Sequence, residues 1–130
     1  MASYQLSGKR VLMVEDEYLI ADALCSAFEM EDVRVVGPFP NVASAMQALD
    51  AGAKADVAVL DVNLNGERVF PLADRLMADN VPIVLTTGYD GDAIPRDYAH
   101  LERLQKPVHL NELFGCLNGL LARSTSLSSH

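Results

Sequence analysis

Apolar residues in this chain come in short blocks: KRVLMV (9–14), VRVVG (33–37), VAVL (57–60), IVLTT (83–87) and LERLQ (101–105). The first four are rich in Val, Ile and Leu, the pattern of strands buried on both faces, whereas LERLQ alternates as an edge strand does. Between the blocks the apolar period lengthens to that of a helix. Ile20, Leu24 and Phe28 recur at four-residue spacing, with Ala21, Ala23 and Ala27 filling in. Asn41 offers an N-cap to a helix that stops at Gly52. Val69, Leu72, Ala73, Leu76 and Met77 make a third apolar face. Val108 to Arg123 makes a fourth, with Leu110, Leu113, Phe114, Leu117, Leu120 and Leu121 on one side. YDGDAIPRDYAH (89–100) holds Gly91 and Pro95 and predicts only a short or mobile helix. The order βαβαβαβ(α)βα predicts an α/β fold, a parallel sheet with helices on both faces.

A chain of 130 residues fits one domain and buries roughly two-thirds of its unfolded surface. Half the residues are hydrophobic, which excludes wholesale disorder, yet no apolar run approaches the roughly 20 residues of a membrane span. The N-terminus MASYQLSGKR lacks the apolar core of a signal peptide, so a cytoplasmic location is expected. The net charge of -8 argues against nucleic acid and acidic membranes as partners and permits a cation site. Cys25 and Cys116 fall in helical segments with no CxxC spacing, and are expected to be reduced thiols packed as small hydrophobes.

The candidate chemistry lies at the ends of the strands. VLMV ends on Glu15 and Asp16, VAVL on Asp61, the fourth block on Thr87, and LERLQ on Lys106-Pro107. Parallel strands bring their C-terminal ends to one edge of a sheet, where ligands bind. A carboxylate such as Asp61, at a central strand end before a Gly-containing loop, can act as a nucleophile toward a phosphoryl group. Glu15 and Asp16 suit Mg²⁺, which takes one or two carboxylates, waters and phosphate oxygens. Taken singly, each residue has a plainer reading: Asp61 a turn cap, Asp16 and Glu17 the start of a helix, Lys106 a solvated strand end, Thr87 a β-branched strand residue. Their convergence does not. Two like charges about 4 Å apart cost on the order of 4 kcal/mol at an effective dielectric of 20, against a domain stability of about 5–15 kcal/mol. Three converged carboxylates therefore call for a cation.

The order E-D, D, T, K-P on a (βα)₅ pattern resembles the receiver domain of two-component response regulators, from about Lys9 to Arg123. The resemblance implies a flavodoxin-like three-layer sandwich whose five-stranded parallel sheet has the order 2-1-3-4-5. On that reading residues 1–8 are an N-terminal extension and 9–123 the receiver domain, while the last seven residues, STSLSSH, are expected to form a disordered tail (124–130). It implies Asp61 as phosphoacceptor, Glu15 and Asp16 as the acidic pair, and a backbone carbonyl from Asn63 to the Mg²⁺. Thr87 becomes the switch hydroxyl and Lys106 the phosphate-pairing lysine. By the same resemblance the partners are a histidine kinase and a downstream protein target or phosphotransfer protein. The chain would be a phosphoacceptor with self-catalysed transfer and autodephosphorylation rather than a conventional enzyme.

Some positions depart from the family pattern. Asn65 stands where many receivers have Pro in the loop after the acceptor, and Arg103 stands where many have an aromatic switch residue. VPIVLTTGYD partly resembles a receiver subfamily marked by PFxFATG, associated with histidine kinases of the HWE type: Pro82, Thr87 and Gly88 match, the two Phe and the Ala do not. Tyr89 follows and is expected to screen the phosphoryl group from water. A haloacid-dehalogenase-type phosphatase wants DxDx[TV], but the run here is Asp61-Val62-Asn63-Leu64. A flavodoxin-like cofactor binder needs a Ser/Thr/Gly phosphate loop where VEDEYL stands. A pseudo-receiver that binds a partner without phosphorylation is the remaining alternative.

Overall fold

The computed structural model describes residues 6–88 and 93–128, with side chains described as far as 123. Five strands form one parallel sheet: β1 (Arg10–Val14), β2 (Arg34–Phe39), β3 (Val57–Asp61), β6 (Ile83–Thr87) and β7 (Glu102–Gln105). A two-stranded hairpin, β4 (Asn63–Leu64) and β5 (Glu67–Arg68), stands apart. The helices are α1 (Tyr18–Met30), α2 (Val42–Asp50), α3 (Phe70–Ala78) and α4 (Leu110–Ser128). The sheet order β2-β1-β3-β6-β7 is the expected 2-1-3-4-5 counted over the five parallel strands. Every residue of β3 and β6 is buried, as unbroken aliphatic runs require, while β7 at the edge exposes Glu102, Arg103 and Gln105.

Two apolar layers sandwich the sheet. One packs Leu12, Leu60 and Leu85 against Ala45 and Leu49 of α2 and Leu72 and Leu76 of α3. The other packs Met13, Val59 and Val84 against Phe28 of α1 and Leu113 and Leu117 of α4. Phe28 and Phe114 meet edge to face at 5.4 Å across that layer. Cys25 and Cys116 are free and half-buried against it, as small hydrophobes.

Two boundaries differ from the sequence expectation. Leu6, assigned to an N-terminal extension, is fully buried in the second layer, because Gly8 N–H bonds Asp32 O at 2.8 Å and folds the chain back onto α1 and β2; residues 1–5 lie outside the described residues. Helix α4 runs to Ser128 and takes in most of the expected disordered tail, since 124–128 contain no Gly or Pro and each added residue contributes one further helical bond; residues 129–130 lie outside the described residues. The short helix expected in 89–100 is, among the described residues, a 3-10 turn, Arg96–Tyr98, with Pro95 as its N-cap. Positions 89–92, including Tyr89, lie outside the described residues. The β4–β5 hairpin is an element the apolar pattern did not predict.

Candidate functional site: an acidic pocket at the sheet edge

The strand ends converge. Glu15 follows β1 and is 6% exposed, and Asp61 closes β3 at 3%. Carboxylate oxygens of Glu15, Asp16 and Asp61 all lie within 4.8 Å of one another. Lys106, at the end of β7, is the cation they share: its Nζ lies 2.7 Å from Asp61 Oδ2 and 3.3 Å from Glu15 Oε1. The Lys106–Pro107 peptide is cis, and Lys106 N–H donates to Thr87 O at 2.8 Å. Burial alone would lower the Lys106 pKa, but the hydrogen bond and charge of Asp61, then of Glu15, outweigh it and raise the ammonium above its ordinary value. Glu15 shows the opposite strain. Burial and then the Asp61 charge push its carboxyl up to about 7, against the pull of Glu17 N–H and Lys106.

One lysine cannot balance three carboxylates. An all-oxygen donor set with a carboxyl already driven toward neutrality is a site a hard divalent cation fits. Asp16 is less buried than its neighbours and the more open donor. It is not the helix cap that its position allowed: the N-cap of α1 is Glu17, whose side chain makes no capping bond. Glu17 N–H donates instead to Glu15 Oε2 at 3.1 Å and fixes that carboxylate.

Beyond Asp61 the chain turns sharply. Asn63 N–H donates to Asp61 Oδ1 at 3.1 Å, and Asn63 Oδ1 accepts from Gly66 N–H at 2.8 Å. Asn65 and Gly66 carry φ of 55° and 96°, the positive pair a type I′ hairpin turn needs. Proline, locked near -65°, does not fit at Asn65, so the Asn found where many receivers have Pro reflects a different turn. The Asn-Gly dipeptide was the signal in the sequence for this hairpin.

Thr86 pairs in register with Asp61 and lines an apolar cavity of about 350 Å³ between α1 and α4, whose wall includes Glu15, Lys106, Leu19 and Leu110. Thr87, buried one residue on, is the last residue of β6. Arg103 is exposed and donates to Ala99 O at 3.1 Å. No helix among the described residues is long and apolar enough to cross a membrane.

A doubly wound parallel sheet binds ligands at the carboxyl ends of its strands, and this one carries a carboxylate-lined pocket with a lysine there. The sequence profile of the response regulator receiver domain matches residues 11–118, and the chain belongs to that family, the receivers of two-component signalling. SdrG from Sphingomonas melonis Fr1 is similar in solution structure, with 34% identity, 93% of this chain and 98% of that chain covered, and a TM-score of 0.72. The BeF3-activated conformation of SdrG from Pseudomonas melonis Fr1 is 35% identical over 88% of this chain and 98% of that one, with a TM-score of 0.73. The receiver domain of TorR, a response regulator of the TMAO respiratory system, is 28% identical over 88% and 98% of the two chains, at a TM-score of 0.76. No curated protein matches the sequence.

Proposed function

We propose that this receiver accepts a phosphoryl group on Asp61 from the phosphohistidine of a histidine kinase and changes conformation as a result. The observation that carries the reading is the contact of Lys106 Nζ with Asp61 Oδ2 at 2.7 Å inside a trio of carboxylates. In the transfer the P–N bond of the donor breaks, its electron pair stays on the imidazole nitrogen, and an O–P bond forms on Asp61. The chain's work is positioning and charge compensation, which dominate phosphoryl transfer. Lys106 orients the Asp61 carboxylate before transfer and pairs with a phosphoryl oxygen after it, while Thr87 supplies a hydroxyl to the same group.

Asp16, Asp61, Glu15 and the Asn63 carbonyl are the proposed ligands of Mg²⁺. These residues would hold the ion, which would supply positive charge to offset that of the transferring group. Glu15, which takes up protons near pH 7 without it, acts mainly by holding Lys106 in place. We assign the protein to the cytoplasm, where a kinase charged by ATP meets it, and propose that it acts by docking to a protein target or by passing the phosphoryl group onward. Pro82, Thr87 and Gly88 favour a kinase of the HWE type. A complete acceptor, lysine and acidic pair disfavour a purely phosphorylation-independent binder. The test is transfer from a phosphorylated histidine kinase with Mg²⁺: Asp61→Asn is expected to take up no label, and continued labelling refutes the assignment.

A further inference from the structure

The hairpin that leaves Asp61 is tied to the segment before β7 by side chains the acceptor chemistry does not use. Arg68 on β5 donates to Ala93 O and lies over the Phe70 ring, its guanidinium 5.1 Å from the centroid. Phe70 stacks on Tyr98 at 4.5 Å and 25°. The Tyr98 hydroxyl donates to Asp74 of α3 at 2.7 Å. Ile94, Tyr98 and Leu101 complete the attachment by packing on the first core layer. On its other side the hairpin is held by Glu67, whose Oε1 accepts from Val42 N–H at the start of α2, 3.2 Å away. The hairpin is therefore anchored at α2, begins at the Asp61 carboxylate through Asn63 N–H, and grips residues 93–101 through Arg68.

We propose that Arg68, Phe70, Tyr98 and Asp74 form a clasp that couples the charge on Asp61 to the position of residues 93–101. This rests on Asp61 being the phosphoacceptor. As a carboxylate, Asp61 holds Asn63 N–H by a charge-assisted bond. When one of its oxygens forms the O–P bond, Oδ1 loses its share of the carboxylate charge and the bond weakens to an ordinary one. The turn behind it is closed by Asn63 Oδ1 and two positive-φ residues, and on this proposal displacement at Asn63 passes along the hairpin. Arg68 then leaves the Ala93 carbonyl, and the stacked Tyr98 loses the cation that caps its partner ring. The relay needs no aromatic at Arg103, which is exposed and occupied with Ala99 O.

Hydrogen exchange of the 3-10 turn reads the clasp directly, because Tyr98, Ala99 and Leu101 N–H bond Pro95, Arg96 and Tyr98 carbonyls. The full chain is loaded with Mg²⁺ and beryllofluoride, and fluorine resonance reports occupancy of Asp61 independently. Loading is expected to speed exchange of these three amides about tenfold, the factor that about 1.4 kcal/mol represents. Arg68→Ala is expected to show the faster exchange before loading and little further change after it, with fluorine occupancy intact and β3 amides as protected as before. Tyr98→Phe keeps the stack, loses only the Asp74 bond, and falls between. Full occupancy with unchanged or slower exchange in the wild type overturns the clasp, as does an undiminished loading response in Arg68→Ala. Absence of the fluorine signal from the wild type overturns the acceptor assignment, and the clasp loses its trigger with it.

Discussion

The two ends of the central sheet each carry a carboxylate–cation contact between strands, and they are built on opposite logic. At the N-terminal end, Arg10 and Asp56 are matched one to one. Arg10 donates to Asp56 from its backbone N–H at 2.8 Å and from its guanidinium at 3.3 and 3.2 Å. Although burial works the other way, the Arg10 bonds hold the Asp56 carboxyl below its ordinary value. At the C-terminal end one lysine faces Glu15 and Asp61, with Asp16 close by, and Glu15 is driven up to about 7. The first contact is satisfied by the protein alone. The second is not, and an unbalanced buried charge set is where chemistry rather than stability has shaped the residues.

The comparison breaks most sharply in phosphotransfer. Asp61→Asn is expected to abolish labelling while Asp56→Asn leaves it intact; loss in both makes the effect one of folding. Next in size is Lys106→Met, which leaves two buried carboxylates without a cation. Its expected cost in metal-free solution at pH 8 is about 3–5 kcal/mol, read by urea denaturation, and a cost near zero denies Lys106 its balancing role.

The pH dependence separates the ends by sign. Glu15 binds its proton more tightly folded than unfolded, so its contribution is largest below its ordinary 4.5 and is lost as pH rises through about 7. Metal-free stability is expected to fall across that window by up to about 3 kcal/mol, and Glu15→Gln flattens the curve. Asp56 is shifted down, so its contribution is present above its ordinary 3.8 and disappears as the solution is acidified further. Mg²⁺ is expected to add about 1.4 kcal/mol at a tenfold excess over Kd, a few degrees in Tm, and more at pH 8 than at pH 5.5. Equal shifts at both values place the ion away from Glu15. The smallest effect is that of Asp56→Asn on Tm, a loss of no more than about 5 °C that salt diminishes.

The legible parts of this molecule were those governed by burial. Strands covered on both faces read as aliphatic runs, and their polar ends, Asp61 and Lys106 above all, named the pocket before its geometry was known. Periodicity is blind to features set by single dihedral angles or by tertiary docking. Asn65 and Gly66 spelled a hairpin turn, but two-residue strands carry no alternation to confirm it. Leu6 sits in a polar stretch, and only its return over α1 and β2 gives it a burial partner. The apolar spacing of α4 ends near Arg123, while the backbone helix continues to Ser128. The weak 89–100 segment was recognised by its Gly and Pro, yet the stack of Tyr98 on Phe70 joins residues no local pattern relates.

The outer edges of the sheet have a consequence for self-association. A bare edge strand is a template for another chain, and proteins blunt it with charge or proline. Here β7 presents Glu102, Arg103 and Gln105, while β2 carries exposed Pro38, which has no N–H to offer a further strand. Both borders thus discourage aggregation by strand addition, leaving helices and loops as the surfaces through which copies of the chain can meet.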